Sequence, residues 1–505
     1  MQDRWRSIAG AICVAAAASL PAAAQTTPQA GPIGSSPGAE PLPGPSEARE
    51  PGAPASRSSS PTGQTGTGTA TPLGAPGAGG LMTRDKLLGD PGGLRTRLGE
   101  IGLSAGLADA EEVFGNPTGG RRTGVVYEGV TEISLGIDTD KLFGLRGGTF
   151  NVSAFQFRGR GLGVNDVGAL LPTSSAEQNV RGARLFELWY EQVFSDRKFA
   201  IRIGQQSADQ EFLVSQLAGL FINSVFGFPT LPSLDLPSGG PAYPLATPGI
   251  RLKIIPNDRT AALLGVYNGD TAGPGLGDPQ RRDASGTAFR LNDGVFVIGE
   301  IQYAINAGEH ATGLPGTYKL GAWYNSQNFP DQRFRSNHLS LADPFTTAAV
   351  RFRRNDYSVY AVADQTVWRE AGVKDGGVGV FARVMGAPSD RNLIDVYAQG
   401  GVDYKGPFAG RGNDTVGLAL SYAHISDRTT RLDRDRAAFA DLPLPIRHSE
   451  TLLELTYQAQ LAPWWQIQPD FQYIFSPGAG IPDPAHPTRR IGDSAILGLR
   501  TNVSF

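Results

Sequence analysis

The 505 residues carry a formal charge of -3 at pH 7, so no basic excess is available to neutralise phosphates, which argues against a nucleic-acid partner. A single cysteine leaves no disulfide framework. With 66 glycines, 24 phenylalanines and 14 tyrosines in a chain that is 40% hydrophobic, the composition points to β-rich material with many turns.

The chain begins with Arg4 and Arg6 ahead of the apolar run IAGAICVAAAASL, followed by the small residues Ala22 to Ala24. This reads as a secretory signal over residues 1–24, too short and wrongly flanked for a spanning helix. Cys13 lies inside the run, so the mature chain would hold its fold through hydrogen bonds and packing alone. Residues 25–80 are rich in Pro, Gly, Ser, Thr and Ala and contain no aromatic. Such a segment cannot bury enough apolar surface to offset its ordering entropy, and it is expected to be a disordered leader acting as a passive tether.

From about residue 100 the texture changes to stretches of ten to fourteen residues that alternate in character, beginning with GLSAGLADAEEVFG and GVVYEGVTEISLGID and ending with SAILGLRTNVSF. About sixteen such candidates can be placed, an even number suited to an outer-membrane barrel. After the signal, no uncharged apolar stretch reaches the length of a spanning helix. The connections SDRK (195–198), PNDR (256–259) and AP (462–463) are short, whereas 207–246, 269–290, 329–354 and 427–448 are long. Short turns on one rim and long loops on the other predict a transmembrane antiparallel β-barrel over residues 81–505, with short periplasmic turns and long external loops. The connections 306–316 and 389–392 fit this alternation poorly.

Side-chain parity then assigns faces. In the last strand Leu497, Leu499, Val503 and Phe505 are expected to face lipid, and Arg500, Asn502 and Ser504 the lumen. In WWQIQPDFQYIF the outward set is Trp465, Ile467, Phe471, Tyr473 and Phe475, the inward set includes Gln466, Gln468, Asp470 and Gln472, and Pro469 is expected beside a bulge. Glu454 shares the inward side of the preceding strand. The same rule turns Glu187, Trp189, Glu191, Arg202, Arg251, Lys253, Glu300, Trp323, Arg383, Asp395 and Asp403 inward. The apolar connection FLVSQLAGLFINSVFGFPTLPSLDLPSGGPAYPL, opening on a short helix, is expected to fold into the barrel and narrow it. Arg158 and Arg160, at the root of another inward connection, are expected at the eyelet.

Blocks in order along the chain resemble the carbohydrate-selective porin family of Gram-negative outer membranes, the OprB type. They are LLGDPGGLRTRLGEIGL, EVFGNPTGG, LPSGGPAYPLATPGIRLKIIPND, YAVADQTVW and ETLLELTYQAQLAPWWQIQPDFQYIFSPG. The resemblance covers roughly residues 87–505; LLGDPGG lacks the tryptophan usual in that block, and the leader is outside the pattern. It implies passive, carbohydrate-selective diffusion of mono- or oligosaccharides across the outer membrane. It also implies a terminal strand read by the outer-membrane assembly machinery, and lipid around the wall; association into a homo-oligomer is left open. A non-selective diffusion porin and an outer-membrane hydrolase are the alternatives. The hydrolase is disfavoured because the five histidines show no metal spacing, no cofactor is called for, and Glu187 and Glu191 would lie roughly 13 Å apart on a strand, beyond a glycosidase pair.

Overall fold

The computed structural model describes residues 80–505 except 179, 195–197, 307–311, 372 and 374–375. The expected signal, nearly all of the leader, most of the SDRK turn and part of the 306–316 connection lie outside the described residues.

Sixteen strands follow one another: β1 (Leu103–Gly120), β2 (Gly124–Asp138), β3 (Gly148–Gly159), β4 (Gly182–Phe194), β5 (Phe199–Gln206), β6 (Thr247–Asn257), β7 (Thr260–Asn268) and β8 (Val295–Ile305). They continue with β9 (Gly316–Arg335), β10 (Val350–Arg369), β11 (Gly377–Gly386), β12 (Ile394–Lys405), β13 (Thr415–Ile425), β14 (Ser449–Ala462), β15 (Trp465–Phe475) and β16 (Gly492–Ser504). Each pairs antiparallel with its chain neighbours, and β16 closes on β1 with Val503 opposite Asp109 and Leu499 opposite Val113. A closed ladder leaves no unpaired edge, which is the condition a bilayer sets on strands. Among the described residues no helix is long and apolar enough to cross a membrane.

The two-residue period decides the faces as expected on β15 and β16. Gln466, Gln468, Asp470, Gln472, Arg500 and Asn502 are buried inside, while Leu497 and Leu499 are half exposed outside. Pro469 produces no bulge. The β14–β15 ladder keeps one register from Thr456 opposite Asp470 to Ala459 opposite Ile467, and Pro469 itself stands opposite Leu499. The missing N–H drops pairs from the ladder instead of shifting it. The connection expected over 329–354 is shorter, because β9 and β10 run 20 residues each and pair beyond the wall.

The connections after β3 (160–181) and β5 (207–246) turn into the lumen. β3 ends on Gly159, with φ +90°, where a Cβ would stand 2.0 Å from the Tyr127 carbonyl oxygen; only glycine makes this turn without strain. The helix expected at the opening of the β5–β6 loop is confined to a 3-10 turn, Ala218–Leu220, because Leu213 sits at φ +64°; an α-helix forms later, over Thr230–Asp235.

The hydrophobic core lies inside the barrel, between these loops and the wall. Phe212, Leu213, Phe228 and Leu231 pack with inward Phe296, Ile298 and Trp323. Leu162, Val167, Phe221 and Phe226 pack with inward Phe114, Phe381, Ile474 and Ile496. Each such side chain contributes about 1.5–3 kcal/mol on full burial, so the loops are held rather than free. At the periplasmic rim the segment before β1 binds the end of β16: Leu87 N–H donates to Ser504 O at 2.8 Å and Arg95 Nη2 to Phe505 O at 2.6 Å.

Candidate solute site in the lumen

β5 stops after eight residues, so the loop that follows leaves the wall from within the barrel and brings Glu211 back against it. There two arginines from β5 and β6 meet two carboxylates, one from β4 and one from the loop. Arg202 Nε donates to Glu191 Oε2 at 3.1 Å and its Nη2 lies 3.2 Å from Glu211 Oε1. Arg251 donates from Nη2 to Glu211 Oε1 at 2.7 Å and also to Glu191. Cation and anion therefore alternate around a closed ring. Lys253, two residues along β6 on the same face, adds a further positive charge near Glu211. Burial alone would raise the Glu211 carboxyl, but Arg251, Arg202 and Lys253 outweigh it and hold it down at about 2.

Trp189 supports this ring from below. The Arg202 guanidinium carbon lies 3.9 Å above its ring, and Trp189 Nε1 donates to Glu187 Oε2 at 2.9 Å. Gly204 makes the approach of β5 to β4 possible, since a Cβ there would stand 2.7 Å from the Trp189 Cα. Trp189 is only 3% exposed and covered by Arg202, so it stiffens the arginine and does not present an open aromatic plate. Trp323, also expected on the pore surface, is buried beneath the β5–β6 loop.

Most of the other inward residues hold loops. Glu454 accepts the amides of Ile222 and Asn223, at 2.5 and 3.0 Å, and Glu300 accepts Leu213 N–H at 2.8 Å. Glu187 accepts Ser207 N–H at 3.0 Å. Arg383 donates to Gly227 O at 2.9 Å, Arg500 binds Glu112 and donates to Ser175 Oγ at 3.1 Å, and Asp470 accepts from Gln472 at 2.9 Å. Arg160 is tied to Asp166 at the root of the β3–β4 loop.

Two expected lumen residues are elsewhere. Arg158 points outward: Phe155 and Phe157 take the inward positions of β3, against Phe186 and Tyr243. Asp395 sits in a bulge at the start of β12 and hydrogen-bonds His424 Nδ1 at 2.7 Å; His424 lies between inward Ala423 and Ile425 and so faces out. Glu211 was not anticipated. Its signal is that residues 207–246 contain no Lys or Arg, so an acid there must find its cation outside the loop.

The family model for the carbohydrate-selective porin, OprB family, matches residues 122–505. The chain belongs to the OprB family. It is an outer-membrane porin of the carbohydrate-selective type. Among relatives, Porin B of Pseudomonas aeruginosa is 25% identical over 437 residues, covering 83% of this chain and 91% of that protein. A putative porin, QuiX, of Acinetobacter baylyi is 24% identical and covers 84% and 93%. The solved high-pH structure of Pseudomonas putida OprB superposes with a TM-score of 0.74 at 22% identity, over 85% of this chain and 100% of that one, a likeness of fold. In this OprB-family member the ring of Glu191, Arg202, Glu211 and Arg251 lies where the strands β4 to β6 approach the periplasmic rim.

Proposed function

We propose that this porin passes neutral sugars by offering their hydroxyls the ring of Glu191, Arg202, Glu211 and Arg251 in place of water. A sugar needs donors and acceptors together within reach of one ring, and alternating guanidinium and carboxylate groups supply both. The observation that carries this reading is the pairing of two cations with two anions around one point, with Arg202 stiffened by Trp189. Opposed charges at this spacing leave little net field, so neither small ions nor charged solutes are strongly favoured, while a hydroxyl can exchange between partners. The inward loops support selectivity, because they pack against the inner wall and narrow the bore. Occupancy must be brief: a Kd on the order of 1 mM, about -4 kcal/mol, suits a site that conducts.

Conductance through single channels in planar bilayers with graded glucose tests this. Current should fall as glucose rises and half of the block should come in the millimolar range. Absence of block, with free passage of charged solutes of similar size, would favour the general-diffusion alternative and overturn the reading.

No catalytic step belongs to this reading. Glu187 is engaged with Ser207 and Trp189, and Glu191 with Arg202 and Arg251, which leaves neither as a free acid or base. The reading includes residues 1–24 as a removed signal, 25–80 as a tether, recognition of the terminal strand by the assembly machinery, and self-association of the barrel.

A further inference from the structure

On the outer rim, where most connections are long, β11 and β12 are joined by residues 387–393 alone. This short turn grips the inward β5–β6 loop. Leu393 N–H donates to Asp235 Oδ1 at 2.8 Å and Ile394 N–H to the same oxygen at 3.3 Å, and Asp235 ends the helix Thr230–Asp235 of that loop. The preceding residue reaches the wall: Asn392 Nδ2 donates to Asp356 Oδ1 of β10 at 2.9 Å and to Pro388 O at 3.1 Å. Two consecutive residues of one turn thus bring a loop carboxylate and a wall carboxylate together. Asp356 and Asn392 are fully buried.

The other acids of this corner have partners. Arg353 pairs with Asp331 and Asp390, Arg391 pairs with Asp390, and Asp395 is bonded to His424. Arg391 Nη1 is also committed to the carbonyls of Arg354 and Asn355, at 2.8 and 2.6 Å. Among the described residues, three buried oxygens here accept no hydrogen bond: Asp235 Oδ2, Asp356 Oδ2 and Asn392 Oδ1. Two of them belong to carboxylates close enough to repel, and burial together with the Asp356 charge pushes the Asp235 carboxyl well above its usual range. A shared proton joins one pair of oxygens and leaves the third orphaned. One cation meets all three.

We propose that Asp235, Asp356 and Asn392 bind a calcium ion that fastens the inward loop to the outer rim. Two carboxylates match a divalent charge, and a set made only of carboxylate and amide oxygens suits a hard cation, with water or backbone carbonyls completing the shell. Calcium fits better than magnesium because it tolerates irregular geometry, which a site assembled from a loop, a turn and a strand will have. Among the described residues no three His, Cys, Asp or Glu side chains gather for a metal, so the Asn392 amide oxygen is what completes this set. Three protein side chains make a weak site, with a Kd on the order of 0.1–1 mM as in extracellular calcium modules. The site is separate from the lumen ring, and its binding does not depend on how sugar passes.

The test uses the full-length protein in detergent at neutral pH, with calcium binding followed by calorimetry and local opening by hydrogen exchange, in chelator or in calcium. One ion should bind per chain. At about 5 mM calcium, protection of residues 230–236 and 388–394 should rise about sixfold or more over chelator, while β1 and β2 stay unchanged. Asp235→Asn and Asn392→Ala should each weaken binding by about tenfold and abolish the added protection, with heat-modifiable migration on gels reporting that the barrel has folded. The unaltered protein decides the matter even if a variant misfolds. No bound calcium, protection conferred by acid in chelator but not by calcium, or calcium binding that is equally strong in both folded variants would each overturn the proposal.

Discussion

Glu454, on the barrel wall, accepts the backbone N–H of Ile222, deep in the β5–β6 loop, at 2.5 Å, and the next amide, Asn223, at 3.0 Å. Positions more than 200 residues apart in the chain are thus joined through a wall carboxyl and the loop's peptide groups. Each such hydrogen bond contributes about 0.5–1.5 kcal/mol, and a buried amide left unpaired costs about 1–3 kcal/mol. Glu454→Leu should loosen the loop by about 2–4 kcal/mol, seen as noisier and larger single-channel currents with weaker glucose block. Unchanged currents would show that the apolar contacts alone hold the loop.

Arg251 and Glu211 make two close contacts in the lumen ring, at 2.5 and 2.7 Å. Removing one leaves the other uncompensated, so the two neutral variants should move ion preference in opposite directions. Arg251→Gln should shift the reversal potential in a salt gradient toward cations, and Glu211→Gln toward anions. Both should weaken glucose block several-fold, the loss of one hydrogen-bonded pair being worth about 1 kcal/mol. A common sign of the shift in both variants would place the conduction path away from the ring.

Trp189→Leu should keep the barrel folded while freeing Arg202 from the ring beneath it. A partly desolvated cation–π contact is worth about 1–2 kcal/mol. The expected result is a glucose affinity lower by roughly fivefold with little change in ion selectivity, because no charge is removed. Trp189→Phe keeps a π face beneath Arg202 and loses only the indole N–H to Glu187, so it should recover most of the block; block as weak as in Trp189→Leu would contradict the cation–π support.

Asp209, in the inward loop, is buried and accepts Tyr243 N–H at 3.0 Å, and burial pushes its carboxyl up to about 7 from an ordinary value near 3.8. A folded-state value above the unfolded one means that the folded loop binds the extra proton. The stability it brings is full below about pH 4 and is lost as pH rises through 7. Glu211, held at about 2, stays ionised in the folded loop, and because its ordinary value is 4.5 its opposing contribution is nearly complete by pH 5 and adds little between pH 5 and pH 8. Protection factors in residues 207–246, each referred to the intrinsic exchange rate at its pH, should therefore be higher at pH 5 than at pH 8, and Asp209→Asn should flatten the difference. Equal protection at both pH values in the unaltered protein would contradict the burial argument.

The barrel was legible because lipid outside and polar groups inside impose a two-residue period on every strand that has both neighbours; β15 and β16 follow it residue by residue. Where the interior is itself apolar the period loses its meaning. In β3 the aromatic residues Phe155 and Phe157 go inward to meet Phe186 and Tyr243, which sends Gln156 and Arg158 to the outside, the reverse of the usual assignment. Asp395 was misplaced for another reason: one extra residue in a bulge shifts the parity, and nothing local in the sequence marks it. Among the residues that do face inward, parity cannot tell a side chain that meets solute from one that meets a loop. Glu300, Glu454 and Arg383 look like pore residues until the loop's path is known. Glu211 completes the ring only because β5 is short, a length that strand propensity alone does not fix.

The way the wall grips the β5–β6 loop has a consequence for how this channel can diversify. Glu187, Glu300, Asp364 and Glu454 seize main-chain amides, of Ser207, Leu213, Gln216, Ile222 and Asn223, which every amino acid but proline possesses. The identity of the side chains at those positions is therefore free of the duty of anchoring. Substitutions there can retune what the channel admits while its scaffold stays in place, so new solute preferences are open to it by point changes and not by rebuilding the barrel.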